Sequence, residues 1–207
     1  MNITIFGATG TIGRCLVEQA LDQRHDVTAF TRNSARVTVV HDRFHVVEGD
    51  VTDADACLPA VKDADAVIVV LGAGRKGGVR EAGTRAVVEA MKRAGGGGRL
   101  VVQSTLGVGS SRPNLNLLWK YVMFGALLRP AYADHVRQEK VVQDSGLDWT
   151  IVRPSAFVDE SPGAVRHGFD GSESGLRLKI ARADVASFLL AQVEDETYLR
   201  RAVSVSA

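Results

Sequence analysis

A doubly wound α/β fold, one parallel sheet with helices on both faces, is predicted by three observations. Short β-rich runs alternate with helical patterns along most of the 207 residues, the signature of a covered parallel sheet. The helical stretches carry apolar residues three or four apart. Three glycines stand between the first apolar run, "ITIF", and the first amphipathic one, "CLVEQAL".

The elements follow in order. Strands are expected at 3–6, 27–31, 44–47, 66–71, 100–103 and 149–152, and helices at 11–22, 54–61, 79–93 and 133–144. Right-handed crossovers then impose the doubly wound order. Beyond the sixth strand come a Gly/Ser-rich loop at 161–175, a short run at 176–180, a helix at 182–193 and a last strand at 203–205. Gly95-Gly96-Gly97-Gly98 reads as a left-handed helix end turning into a strand. No linker cuts the chain, so 1–207 is expected to form a single domain, with an apolar insertion at about 113–130 and a substrate-side loop at about 155–178.

Composition excludes several classes of function. Twenty-five Lys and Arg against 24 Asp and Glu give a net charge of +1, which points to neither a nucleic-acid nor a membrane partner. Cys15 and Cys57 form neither a C-x-x-C pair nor a disulfide framework, which fits a reducing cytoplasm. No apolar run approaches the ~20 residues of a membrane span and no leader pattern precedes the first strand, so a cytoplasmic protein is expected. His41 and His45 are four apart but lack a third ligand, so no metal site is expected. Neither G-x-S-x-G nor G-x-x-x-x-G-K-[ST] occurs.

The residues Gly7, Ala8, Thr9, Gly10, Thr11, Ile12 and Gly13 form G-x-x-G-x-x-G between strand and helix. The first glycine permits the tight turn, the second admits a pyrophosphate to the backbone, and the third packs helix on strand. Phosphate oxygens then meet the free N–H groups at the helix start. A dinucleotide site of Rossmann type is expected, the alternative being a structural turn. About twenty residues on, where an NAD site places a carboxylate, stand Arg32, Asn33, Ser34 and Arg36. An arginine fork suits a 2′-phosphate, so NADP(H) is expected over NAD(H), the alternative being a solvated loop. Further strand ends complete the groove: Asp50 and Val51, with Asp50 either an adenine contact or a turn residue; Leu71, Gly72 and Ala73 along the adenosine; and Ser104 and Thr105 where the nicotinamide arrives.

These segments, with "SGLDWTIVRP" and "LRLKIARADVASFLL", resemble the NAD(P)H-binding atypical short-chain dehydrogenase/reductases, and more narrowly the biliverdin reductase B / flavin reductase group, over nearly the whole chain. The resemblance implies a Rossmann domain, monomer or homodimer, that uses NADPH to reduce flavins, quinones or similar small conjugated acceptors, with Pro154 among the cofactor contacts. Two departures accompany it. Tyr121, Tyr132 and Tyr198 are followed four residues later by Gly125, Val136 and Ala202, so the Tyr-x-x-x-Lys acid pair of ketone reduction is absent. The histidine that follows the sixth-strand proline in those relatives is replaced by "RPSA".

On the substrate side, Ser104 and Thr105 either orient the acceptor or cap a strand end. His135 either lines the cleft or contacts solvent, and Arg153 faces the cofactor edge as a candidate holder of an anionic group. The run 113–130, with Trp119 and Phe124, reads as an inserted helix or lid. Core packing, a cover over an aromatic substrate, a subunit contact and a membrane-facing surface all stand open for it. Two functions remain: an NADPH-dependent reductase, and a redox sensor that binds NADP(H) without turnover.

Overall fold

A computed structural model describes residues 1–72, 74, 77–160, 163–169, 173 and 175–207. Parallel strands β1 (Asn2–Phe6), β2 (Asp26–Thr31), β3 (Phe44–Glu48), β4 (Ala66–Val69), β5 (Arg99–Gln103) and β6 (Trp149–Pro154) are joined by α1 (Thr11–Asp22), α2 (Ala54–Val61), α3 (Val79–Arg93) and α4 (Arg129–Gln143). The short strands β7 (Ala156–Val158), β8 (Arg166–His167) and β9 (Lys179–Ala181) follow, then α5 (Arg182–Ala191) and β10 (Arg201–Ser206).

The sheet runs β3-β2-β1-β4-β5-β6-β10-β8, parallel except where β8 pairs with β10, while β7 and β9 form a separate parallel ribbon. The order reverses between β1 and β4, and in such sheets the crevice beyond the carboxyl ends at that point receives ligands. Side chains alternate in face along each strand. Ile3, Ile5, Ala66 and Ile68 therefore join the core beneath α1 and α5, while Phe6, Val67 and Val69 join the core beneath α2 and α3. Both faces are covered, which gives the expected Rossmann-like domain.

Helices α1, α2 and α3 keep the expected bounds. Helix α4 starts at Arg129, four residues before 133, because Pro130 sits in the first turn, where its missing N–H is not needed. The 113–130 run takes in the end of a 3₁₀ segment, Gly109–Asn114, a π-helix, Leu118–Leu127, whose last bond runs from Leu128 N–H to the Met123 carbonyl at 2.7 Å, and the first two residues of α4. Strands β7 and β8 lie in the stretch expected to be loop, and the short run at 176–180 moves to Lys179–Ala181. Among the described residues no helix is long and apolar enough to cross a membrane.

Candidate active site

The glycine turn positions one half of the site. Gly7 has φ +95°, and a Cβ there would stand 2.5 Å from the Val70 carbonyl oxygen. A Cβ on Gly13 would collide with the Gly7 carbonyl, so α1 lies directly on the turn. The start of α1 carries neither a side-chain cap nor an acidic residue in its first turn. Its N–H groups and positive dipole end are therefore available to phosphate.

A cavity of about 430 Å³ opens at this turn. It brings together Gly7, Thr9, Gly10, Arg32, Asn33, Arg36, Val51, Leu71 and Gly72 of the expected set, and adds Thr31, Val70 and Val79. Ala8 and Ile12 are core residues beneath the turn. Asp50 Oδ1 accepts both the N–H and the hydroxyl of Thr52 at 2.9 Å, bonds that hold its carboxyl below the usual range. Ala73 lies outside the described residues. The Ser34 N–H donates to Glu48 Oε2 at 3.0 Å. Glu48 is a carboxylate that sequence reasoning missed; it is opposite Thr31 in the β2–β3 register, and the Ser34 hydroxyl and amide hold it below the usual range.

A second cavity, of about 360 Å³, opens at the same edge of the sheet, lined by Thr105 after β5 and Pro154 at the end of β6, with Arg80 following the Val79 that lines the first. Thr105, Pro154 and His135 line it, Pro154 having been expected among the cofactor contacts, and Trp119 and Phe124 form an aromatic wall with Tyr132. Ring centroids there are 5.6 Å apart for Trp119–Phe124 and 5.1 Å for Phe124–Tyr132. Ser104 is buried just past the β5 end, lines neither cavity, and its Oγ has no partner among the described residues. An orphaned hydroxyl at this strand end fits a hydrogen-bonding ligand.

His135 is buried, and its Nδ1 has no partner among the described residues. Burial, and then the nearby Arg80 guanidinium, push its pKa down to about 3. The imidazole is neutral at pH 7. Tyr132 donates its hydroxyl to the Gly107 carbonyl at 3.0 Å. Two cations absent from the sequence-based set also line this cavity: Arg80, paired with Asp134, and Arg182, paired with Asp159.

Arg153 does not hold a ligand anion here. It is 4% exposed, donates from Nε and Nη2 to Glu139 at 2.9 and 2.6 Å and from Nη1 to Ser110 Oγ at 3.1 Å, and is not among the residues lining either cavity. Its strand end is occupied by an internal ion pair. Beside it, the fully buried Asp134 carboxylate accepts the N–H groups of Arg80 at 3.2 Å and Glu81 at 3.1 Å, capping α3 from across the helix pair. Sequence reasoning missed Tyr132, Asp134 and Glu139. The signal available was the stripe Ala131, Asp134, His135, Gln138, Glu139 and Val142, buried in α4 at helical spacing but mostly polar. No group of three or more metal-ligating side chains exists among the described residues.

Comparison with known proteins agrees with this geometry. The family model described as NAD(P)H-binding matches residues 7–196. A UPF0659 protein of Saccharomyces cerevisiae is 30% identical over 92% of this chain and 86% of its own length. An uncharacterized chloroplastic protein of Arabidopsis thaliana is 27% identical over 77% of this chain, which spans 60% of that relative. Among solved structures, ChuY, an anaerobilin reductase of Escherichia coli O157:H7, superposes with a TM-score of 0.79 at 26% identity, over 100% of this chain and 97% of its own. A short-chain dehydrogenase/reductase of Veillonella parvula in complex with NADP gives 0.82 at 20% identity, over 100% and 94%, a likeness of fold. By its glycine-cradled cleft, its sheet order and the match over most of its length, the chain belongs to the NAD(P)H-binding family and has a short-chain dehydrogenase/reductase-like fold.

Proposed function

We propose that the chain is an NADPH-dependent reductase of a flavin, quinone or similar small conjugated acceptor. The observation that carries the reading is the presence of two unlike cavities at one sheet edge: a glycine-cradled cleft with cations at its far end, and an aromatic-walled chamber. The names of the ChuY reductase and of the NADP complex of the Veillonella protein are in keeping with it.

Arg32, Asn33 and Arg36 hold the 2′-phosphate end, the α1 N-terminus holds the pyrophosphate, and Ser104 and Thr105 orient the ring. NADPH, when bound, supplies the hydride. Trp119 and Phe124 hold a flat acceptor by stacking, and Arg80 and Arg182, each ion-paired but with guanidinium N–H groups that have no hydrogen-bond partner among the described residues, favour one that carries an anionic substituent. Neutral His135 is a hydrogen-bonding group rather than a charged acid, and the Tyr132 hydroxyl is already donated to a carbonyl. The reading therefore requires an acceptor that takes its proton from water, as flavins and quinones do.

The test is loss of the reduced-nicotinamide absorbance with NADPH or NADH against a panel of flavins, quinones and dyes. Turnover with NADPH and at least one conjugated acceptor is expected. Tight NADPH binding with no turnover on any of them would overturn the reductase reading in favour of a redox sensor.

A further inference from the structure

The outer surface of the π-helix is the feature that the cofactor and acceptor cavities leave unused. Trp119, Met123, Phe124 and Leu128 are its half-buried inward side. Outward stand Leu117, Leu118, Tyr121, Val122, Gly125, Ala126 and Leu127, all exposed and none charged; Leu117 is 72% and Tyr121 66% exposed. Such a contiguous apolar face marks a contact surface.

At its base lies a separate cavity of about 170 Å³ where Arg112, Lys120 and Arg129 converge around Phe124, Gly125 and Tyr132. Lys120 Nζ donates to the Pro113 carbonyl at 3.1 Å. Among the described residues none of the three is ion-paired with a carboxylate. Between Glu89 and Asp134 the sequence has no acidic residue at all. The local charge is thus uniformly positive on a chain whose net charge is only +1.

We propose that this segment docks the protein on a bilayer surface bearing anionic phospholipid, with the outward apolar face in the acyl boundary and a lipid phosphate in the pocket of Arg112, Lys120 and Arg129. An apolar helix face rimmed by cations, with aromatic residues at the border, is the composition that interfacial segments use. A second copy of the chain is disfavoured on charge, because a two-fold contact through this face sets three cations against the same three with no carboxylate between them. The proposal stands apart from the reductase reading, since its readout is lipid binding and not turnover.

The test is co-sedimentation of the full chain with vesicles of phosphatidylcholine alone and with vesicles in which a third of the lipid is phosphatidylglycerol. Binding to the anionic vesicles only is expected, weakened by added salt, reduced about fivefold by each of Arg112→Gln and Arg129→Gln, and lost in Leu118→Asn. Equal binding to both vesicles, or to neither, would overturn it. So would inorganic phosphate binding equally to the parent chain and Leu118→Asn without vesicle binding, which makes the pocket a free-anion site. A dimer in sedimentation velocity that Leu118→Asn abolishes, again without vesicle binding, assigns the face to a second copy and overturns it too.

Discussion

Arg153 at the end of β6 is locked by both oxygens of Glu139 on α4, at 2.9 and 2.6 Å, with each side chain about 5% exposed or less. The pair ties the last central strand to the helix that walls the acceptor cavity. Two charges removed from water depend on one another, because either alone is left buried and uncompensated. Glu139→Ala is expected to destabilise the chain by about 3–5 kcal/mol. The double change Arg153→Met with Glu139→Leu should lose much less than the sum of the single changes, a comparison that urea unfolding of the four proteins makes directly.

Asp134 reaches from α4 to the first turn of α3, where Gly78, with φ +91°, offers no side-chain cap. Asp134→Ala leaves two N–H groups short of an acceptor and the half-buried Arg80 short of its counter-charge, 3.7 Å away. A loss of about 3 kcal/mol is expected. Asn at this position keeps an acceptor but not the charge, so Asp134→Asn should fall between the two in thermal unfolding.

The buried imidazole of His135 makes stability depend on pH. Its pKa falls from the ordinary 6.5 to about 3 on folding, so between these values the unfolded chain binds the proton and the folded chain does not. Stability is therefore fully present above pH 6.5 and is lost as pH falls toward 3, by up to ~5 kcal/mol. Urea midpoints for the parent chain and His135→Gln should converge as the pH is lowered from 7 to 4. Parallel curves would show that His135 does not titrate in this way.

Cofactor choice is expected to turn on two opposed side chains at the ends of β2 and β3. Arg32→Glu should weaken NADPH binding far more than NADH binding, because it places a carboxylate against the 2′-phosphate. Glu48, bonded to the Ser34 N–H, is a carboxylate already occupying a donor of that loop. Glu48→Gln should therefore strengthen NADPH binding while leaving NADH nearly unchanged. Calorimetric titration of both nucleotides reads each effect, and equal changes for the two would remove the argument.

Much of the first cavity was legible in the residue order. G-x-x-G-x-x-G, Arg32-Asn33 and Leu71-Gly72 are short local signals, and the parallel sheet sets their strand ends side by side along one edge. The second cavity was legible in its aromatic and hydroxyl members and in His135 and Pro154. Trp119, Phe124 and Thr105 were foreseen, whereas Arg80, Tyr132 and Arg182 were not. Asp134, Gln138 and Glu139 are polar and fall outside the apolar period that marks α4, so a pattern reading leaves them in solvent where they are in fact buried. Gln138 reaches Thr84 on α3 at 3.0 Å, a partner 54 residues away.

The sequence by itself determined the fold class, the dinucleotide cleft and the elements that frame it. These rest on backbone conformation and on periodicities that neighbouring residues impose on one another. Tertiary structure alone decided which charges serve the site. Arg153, positioned by its strand to face the cofactor edge, meets Glu139 there and lines neither cavity, while Arg80, though paired with Asp134, lines the acceptor cavity from α3. The physical reason is that a charge's role depends on what else is buried within a few ångströms of it, and those neighbours come from elements far away along the chain.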